Sequence, residues 1–423
     1  MYRLFATLCT DETPMVRRAA SKHIGPFATM VEKEFVLNEF LALFNNLAGD
    51  DQDSVRLLAI ENCTAFAKIL NQAENNIHIL PLVKACASDK SWRVRNNVAK
   101  EFYPLSDAMG ATVTRIELLP LFVRLLQDPE AEVRASAAHN VAGYVKLVGS
   151  ERFTTDILPV IRESVIDPAQ NVRLSLAESL IDITANLTQD EAAPTVVPLI
   201  MQALRDEAPE VRLKILEGLH KVANTLGSQF LEVTVLPVLL LLGNDSLWRI
   251  REKVITQIPL LASSLGATIF EKDLLALYLG TYADQVNAVR MAATRCLEPL
   301  ARSLGIPWIR NKLIPKLQSQ FATQGSSYLQ RITVLYGVRD LSTHADLADA
   351  AEDLLPLLLT AIKDTVPNVR FVAVKILHEG IVSNAYSKNK ISTEIQPTLA
   401  NLITQDTDPD VKYFAQLALE AIH

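Results

Sequence analysis

The sequence predicts an all-α protein: an α-solenoid (superhelix) of about eleven stacked helical hairpins with a 39-residue period, one continuous array over residues 1–423. Three observations predict it. A Val-Arg step returns at equal intervals, an Asp stands at a fixed distance before each step, and a proline inside apolar phrases keeps the same beat. Self-similarity at a period of this length is the signature of a repeat architecture.

The Val-Arg step falls at Val16-Arg17, Val55-Arg56, Val94-Arg95, Val133-Arg134, Val172-Arg173, Val211-Arg212, Ile250-Arg251 and Val289-Arg290, each 39 residues from the last. Five residues before each stands Asp11, Asp50, Asp89, Asp128, Asp167, Asp206, Asp245 or Asp284. A weak copy follows at Leu329, without the Asp and the Arg. The full phrase then returns at Asp364…Val369-Arg370 and Asp406…Val411-Lys412. Pro81, Pro120, Pro159, Pro198 and Pro237 share the 39-residue spacing, and Pro315, Pro356 and Pro397 continue it slightly stretched.

Within a unit, the first helix holds the proline, which removes a backbone bond, so that helix is kinked or starts near it. The second helix starts at the Asp turn. Asp128-Pro129 and Asp167-Pro168 read as an N-cap Asp with Pro at the first helical position. Helical spacing follows, in Val133, Ala137, Val141, Val145 and again in Val211, Ile215, Leu219, Val222. Gly or polar residues close the unit, as at Val148-Gly149-Ser150. Two such helices cannot bury their apolar faces alone, and stacking on neighbours makes one core. At roughly 8–10 Å between helices, eleven units predict a curved rod on the order of 100 Å long. Met1 falls inside a first helix, which suggests a truncated chain or a partly unravelled first hairpin. Between 321 and 353 the beat stretches and Gly325-Ser326-Ser327 interrupts, so a hinge or irregular repeat is expected there.

Composition narrows the function. Apolar residues make up 49% and charged residues 21%, enough for an extended core. The net charge of −7 supplies no general basic face, so nucleic acid is not an expected partner. Cys9, Cys63, Cys86 and Cys296 are scattered and read as small buried hydrophobes of a reducing compartment. Met1 to Phe5 lacks the build of a signal peptide. The longest apolar run, Val235 to Leu242, is far short of the roughly 20 residues of a membrane span. The sequons at Asn62 and Asn186 therefore carry little weight. A cytoplasmic, or also nuclear, location is expected. The seven His form no metal pattern, and neither a phosphate loop nor a nucleophile elbow occurs, so no enzyme, metal or cofactor is expected. His139 and His220 read as satisfied helix histidines.

The Asp–Arg pairs read as a structural ladder, each Arg bonding the Asp of its own or of the neighbouring turn. Two before the anchor the residue varies: Pro14, Asp53, Trp92, Ala131, Gln170, Pro209, Trp248, Asn287, Ser327, Pro367, Pro409. A Trp is costly to leave in water there. Packing against the next turn is the plain explanation, but Trp beside Arg, as in Trp92-Arg93 and Trp248-Arg249, is the pair most enriched at interface hot spots, and partner binding is expected. Trp308 lies in another phase and is expected in the core. Trp92-x-x-x-Asn96 is similar to the Trp-x-x-x-Asn of armadillo import adaptors, but Trp248 is followed by Glu252.

A 39-residue hairpin with a proline in its first helix and Asp…Val-Arg in its second resembles a HEAT repeat. Longer phrases resemble the family of scaffold (A) regulatory subunits of Ser/Thr protein phosphatase 2A: Leu8-Cys9-Thr10-Asp11-Glu12-Thr13-Pro14-Met15-Val16-Arg17-Arg18, Asp51-Gln52-Asp53-Ser54-Val55-Arg56, Asp89-Lys90-Ser91-Trp92-Arg93-Val94-Arg95 and Asp410-Val411-Lys412-Tyr413-Phe414. The resemblance implies a non-catalytic scaffold whose intra-repeat turns hold a phosphatase catalytic subunit and a regulatory B-type subunit, in a heterodimer or heterotrimer. Carried over by matching turns, Pro14, Arg17, Arg18, Ser91, Trp92 and Arg93 fall on the regulatory-subunit side. Trp248, Arg249, Asn368, Asp410 and Tyr413 fall on the catalytic-subunit side. The chain departs from the family in lacking its N-terminal repeats, and it matches poorly from Gly325 to Asp353. The competing reading is a HEAT-repeat transport or cargo adaptor that binds peptides or a GTPase.

Overall fold

The computed structural model describes residues 2–323, 327–344 and 347–422, and all regular structure among them is helical. The chain divides into two compact units, residues 1–225 and 226–423. Gln324, Gly325, Ser326, Ala345 and Asp346, within the expected hinge, lie outside the described residues.

One hairpin of the first unit shows how the sequence builds many of them; the first helices at Pro81, Pro198 and Pro356 break before the proline without a π-turn. Gly110, at φ 86, opens it, and the first helix runs through Ala111–Val113, a wide π-turn at Thr114–Leu118 and Leu119–Leu126. Pro120 is the second residue of that last segment. Its missing N–H falls where the chain has just left the regular ladder. The N–H of Leu119 reaches back five residues to the Thr114 carbonyl. The expected kink is therefore a π-turn placed directly before the proline. It recurs before Pro159 (Phe153–Ile157), Pro237 (Leu231–Val235), Pro315 (Ile309–Leu313) and Pro397 (Ile391–Ile395). It also forms at Phe270–Leu274, where no proline follows, so proline favours the turn without being its only cause.

The second helix, Ala131–His139 continued by Val141–Val148, starts three residues after Asp128. Asp128 is thus not the N-cap that the sequence suggested. Glu130 occupies that place, and Asp128 Oδ1 accepts the Glu130 N–H at 3.0 Å. Asp167 does the same for Ala169 at 2.8 Å. The aspartate closes the turn rather than the helix, which frees its outer oxygen edge for a neighbour. Where Pro stands two before the anchor, at Pro14, Pro367 and Pro409, it does begin the helix.

Cores run from hairpin to hairpin. In the first unit Phe122 stacks on Tyr144 with centroids 3.9 Å apart, Phe102 lies beside both, and Phe44 stacks on Phe66 at 4.2 Å. The Tyr144 hydroxyl bonds Ser106, so the buried phenol has a partner. Val133, Ala137, Val141 and Val145, like Val211, Ile215, Leu219 and Val222, are all buried, as their spacing predicted. The four cysteines are free and buried, and burial pushes the Cys86 and Cys296 thiols up to about 12. The helical runs Pro209–Leu242 and Trp248–Ala283 have the length and mean hydropathy of a membrane span, longer than the run the sequence singled out. Each is interrupted, at Gly227 and Gly266, by φ 79.

Candidate protein-interaction ridge

The turns between first and second helices are tied to one another by guanidinium groups. Arg56 donates from Nε and Nη2 to both oxygens of Asp89, at 2.7 and 2.9 Å, while its Nη1 donates to the Asp50 carbonyl of its own turn at 2.7 Å. The sequence left open whether each Arg bonds its own turn or the next one. It bonds both, with its own turn giving backbone carbonyls and the next giving the carboxylate. In the first unit the same rung joins Arg17 to Asp50, Arg95 to Asp128, Arg134 to Asp167 and Arg173 to Asp206. In the second it joins Arg251 to Asp284, Arg331 to Asp364 and Arg370 to Asp406. Arg331 corrects the weak copy read at Leu329: the anchor is Gln330-Arg331, and its Arg is kept. Bidentate geometry fixes the rotation of each turn against the next.

Burial works against the charge on Asp50, Asp89, Asp167 and Asp284. The Arg hydrogen bond, a backbone N–H and nearby guanidinium charge nonetheless hold these carboxyls below the usual range. In Asp406 the Arg370 bond is the leading cause. Burial costs the arginines less than their aspartates give back, so Arg56 and Arg134 are raised.

The residues named from the sequence stand on this frame in two states. Arg17 is a ladder residue, held to Asp50 at 2.5 Å, and would have to leave that carboxylate to serve a partner. Pro14 and Arg18 beside it are exposed. Ser91 is half-buried, and its hydroxyl donates to Asp53 Oδ2 at 2.8 Å. Arg93 is exposed, lies 3.7 Å from the same carboxylate and holds its guanidinium 5.4 Å from the Trp92 ring centre. Asp53, from the previous turn, therefore organises the Ser91–Arg93 phrase, a link that spacing alone does not reveal. Trp92 itself is half-buried.

In the second unit Trp248 repeats the arrangement. It is half-buried under the exposed Arg249, whose guanidinium lies 5.2 Å from the ring centre. Leu247 beside it is 42% exposed, an apolar neighbour the sequence reading passed over. Asn368 and Asp410 are exposed, and Tyr413 is 61% exposed with its ring edge-on to Phe414. Trp308 is half-buried rather than wholly in the core, edge-on to Phe270 at 5.4 Å. His139 is exposed and 3.2 Å from Glu178, while Nδ1 of His220 is buried without a partner, so His220 is not the satisfied histidine expected. Among the described residues, no three His, Cys, Asp or Glu side chains gather as metal ligands would.

Two clefts open along the ridge, each beside a rung. One, of about 650 Å³, lies by Arg251–Asp284 and is walled by Gly243, Leu277, Gly280 and Gln285. The other, of about 580 Å³, lies by Arg173–Asp206 and is walled by Ile166, Met201 and Arg205. The signal for the first was present in the sequence, since Gly243 and Gly280 each stand where the hairpin before its own carries a leucine, Leu204 and Leu241 respectively.

The fold defines an all-α HEAT-repeat solenoid, a class whose stacked repeats present extended surfaces. Residues 111–188 match the PPP2R1A-like HEAT repeat. The regulatory (A) subunit of protein phosphatase PP2A from Saccharomyces cerevisiae is 34% identical over 119 residues, covering 26% of this chain and 18% of that protein. The protein phosphatase 2A scaffold subunit of Dictyostelium discoideum is 52% identical over 42 residues, 10% of this chain and 7% of that protein. The matched stretches span less than a fifth of either relative. Among solved structures, Kap121p bound to Ste12p aligns with 99% of this chain and 44% of its own, at a TM-score of 0.68 and 15% identity. Importin beta aligns with 100% of this chain and 55% of its own, at 0.61 and 12%. At these identities the likeness to both is one of fold.

Proposed function

We propose that this protein is a non-catalytic scaffold whose intra-repeat turns hold a Ser/Thr protein phosphatase catalytic subunit and a regulatory subunit. The observation that carries the reading is the match of residues 111–188 and of two short stretches to phosphatase 2A scaffold proteins, on a chain whose ridge presents Trp–Arg pairs in both units. The ladder supplies the stiffness such a role needs, and the pairs supply what differs from turn to turn. Trp248, Arg249, Asn368, Asp410 and Tyr413 are assigned to the catalytic subunit. Pro14, Arg18, Ser91, Trp92 and Arg93 are assigned to the regulatory subunit, with Arg17 beneath them. The likeness to Kap121p and importin beta is shared fold and does not favour a transport adaptor over this reading.

The test is capture from lysate with the tagged chain. Wild type recovers a Ser/Thr phosphatase catalytic subunit. Trp248→Ala recovers roughly thirty-fold less, the loss of about 2 kcal/mol expected of an interface hot spot. Trp92→Ala leaves that recovery unchanged. Failure of the wild type to recover any phosphatase catalytic subunit rejects the scaffold reading.

A further inference from the structure

Two hairpins each carry an unused half of a rung. Asp11 closes its turn as the other ladder aspartates do: its Oδ1 accepts the Thr13 N–H at 2.8 Å, as Asp50 accepts the Gln52 N–H at 2.9 Å. Asp50 is held by Arg17 of the hairpin before it, whereas among the described residues no arginine or lysine side chain pairs with the Asp11 carboxylate. Lys412 stands where Arg331 and Arg370 stand in their hairpins, and among the described residues its ammonium group has no partner. One hairpin therefore offers a rung carboxylate without its cation, and another a rung cation without its carboxylate.

The surfaces beside them match as well. The hairpin of Asp11, Tyr2–Cys9 and Pro14–Ala28, carries an apolar groove of about 370 Å³ walled by Leu4, Phe5, Leu8, Pro26, Phe27 and Met30. Leu4 is 74% and Met30 77% exposed, a patch that marks an interaction surface. One repeat further on, Leu43, Phe44, Leu47 and Phe66 hold the places of Leu4, Phe5, Leu8 and Phe27, and all four are buried in the stack. What covers such a face in this fold is another hairpin. On the hairpin of Lys412, the positions that meet a following hairpin are apolar. Leu57 and Glu61, one and five residues after Arg56, accept from Asn97 of the next hairpin. Tyr413 and Leu417 hold those places after Lys412, the first 61% exposed and the second half-buried.

We propose that this chain binds a second copy of itself head to tail: the hairpin of Lys412 on one copy covers the apolar groove on the other, and Lys412 reaches Asp11 to complete a rung between molecules. The contact is heterologous, so species larger than a dimer form with rising concentration unless the ring closes. The association does not depend on the phosphatase reading, although Tyr413, assigned there to the catalytic subunit, is covered in both complexes.

The experiment is sedimentation velocity of the full chain over a range of concentrations at low salt. The wild-type average mass rises with concentration. Asp11→Lys and Lys412→Asp each weaken association by about ten-fold or more, in the range of close interfacial charge pairs. Combining the two, which reverses the pair, restores it. Leu8→Glu, in the wall of the groove, abolishes it. A wild type that stays monomeric throughout overturns the proposal. So does a groove-on-groove dimer, in which Leu8→Glu blocks association and Lys412→Asp does not, and so does a double variant that fails to recover.

Discussion

A single arginine in this fold does three jobs at once. Arg134 donates to both oxygens of Asp167 at 2.7 and 2.9 Å and to the Asp128 carbonyl at 2.8 Å, while being largely shielded from water. Removing it takes the guanidinium from a buried carboxylate and the side-chain donor from a carbonyl together. Arg134→Ala is therefore expected to cost about 2 kcal/mol, in the range of hydrogen bonds to charged groups. Urea unfolding measures it, and hydrogen exchange is expected to quicken first in Ala131–His139 and Gln170–Thr184, the helices its rung joins. The recurrence of Asp and Arg was fully legible in the sequence. The direction of the bond was not, because a six-residue spacing on one turn and a 33-residue reach to the next both satisfy the pattern, and only packing decides between them.

At the scale of the element, two kinds of hairpin start recur. Gly110, Gly149, Gly227, Gly266 and Gly305 turn the chain with positive φ. Asn71 and Thr188, at the same place in other hairpins, use a capping box with Glu74 and Glu191 instead. At Gly149 no neighbouring atom lies within 4 Å of where an added Cβ would stand, so a substitution meets only the backbone cost of φ 86. Gly149→Ala is expected to lower stability by about 1–3 kcal/mol without disturbing its neighbours, read as a shifted urea midpoint with an unchanged slope. The proline beat showed that each first helix was irregular. The form of the irregularity, a π-turn that precedes the proline and survives without it at Phe270–Leu274, follows from how the two halves of the helix pack.

Taken over the whole molecule, the ladder makes stability depend on acid. Asp50, Asp89, Asp167, Asp284 and Asp406 are all held below the ordinary carboxylate range in the folded chain. A carboxyl whose folded value is depressed adds stability above its unfolded value of about 3.9, and that stability drains away as pH falls through the folded value. The unfolding midpoint is expected to be flat near neutrality and to fall steeply below about pH 4, more steeply than in a chain whose ladder aspartates are changed to Asn. A thermal scan from pH 7 to 3 checks it. The candidate site was legible to the same depth. Trp92, Arg93, Trp248 and Arg249 stood out as what the repeat does not share, and they are exposed or half-buried on the turns. Asp53 under Arg93 was not legible, since it depends on which residues of consecutive turns come together, whereas the glycines of the cleft at Gly280 stood in the sequence as departures from the repeat.

By itself the sequence determined the helical class, the beat of the hairpins, the buried stripes and the variable turn positions, because each depends on local periodicity and on which residues repeat. Tertiary structure alone decided that Asp128 closes a turn instead of capping a helix, that Arg331 carries the rung read at Leu329, and that, among the described residues, the Arg290 Nε is buried without an acceptor. Those outcomes are set across hairpins, where the carboxylate that a ladder arginine meets lies more than thirty residues away along the chain. Packing decides there which hydrogen bonds can be made, and spacing alone does not specify it.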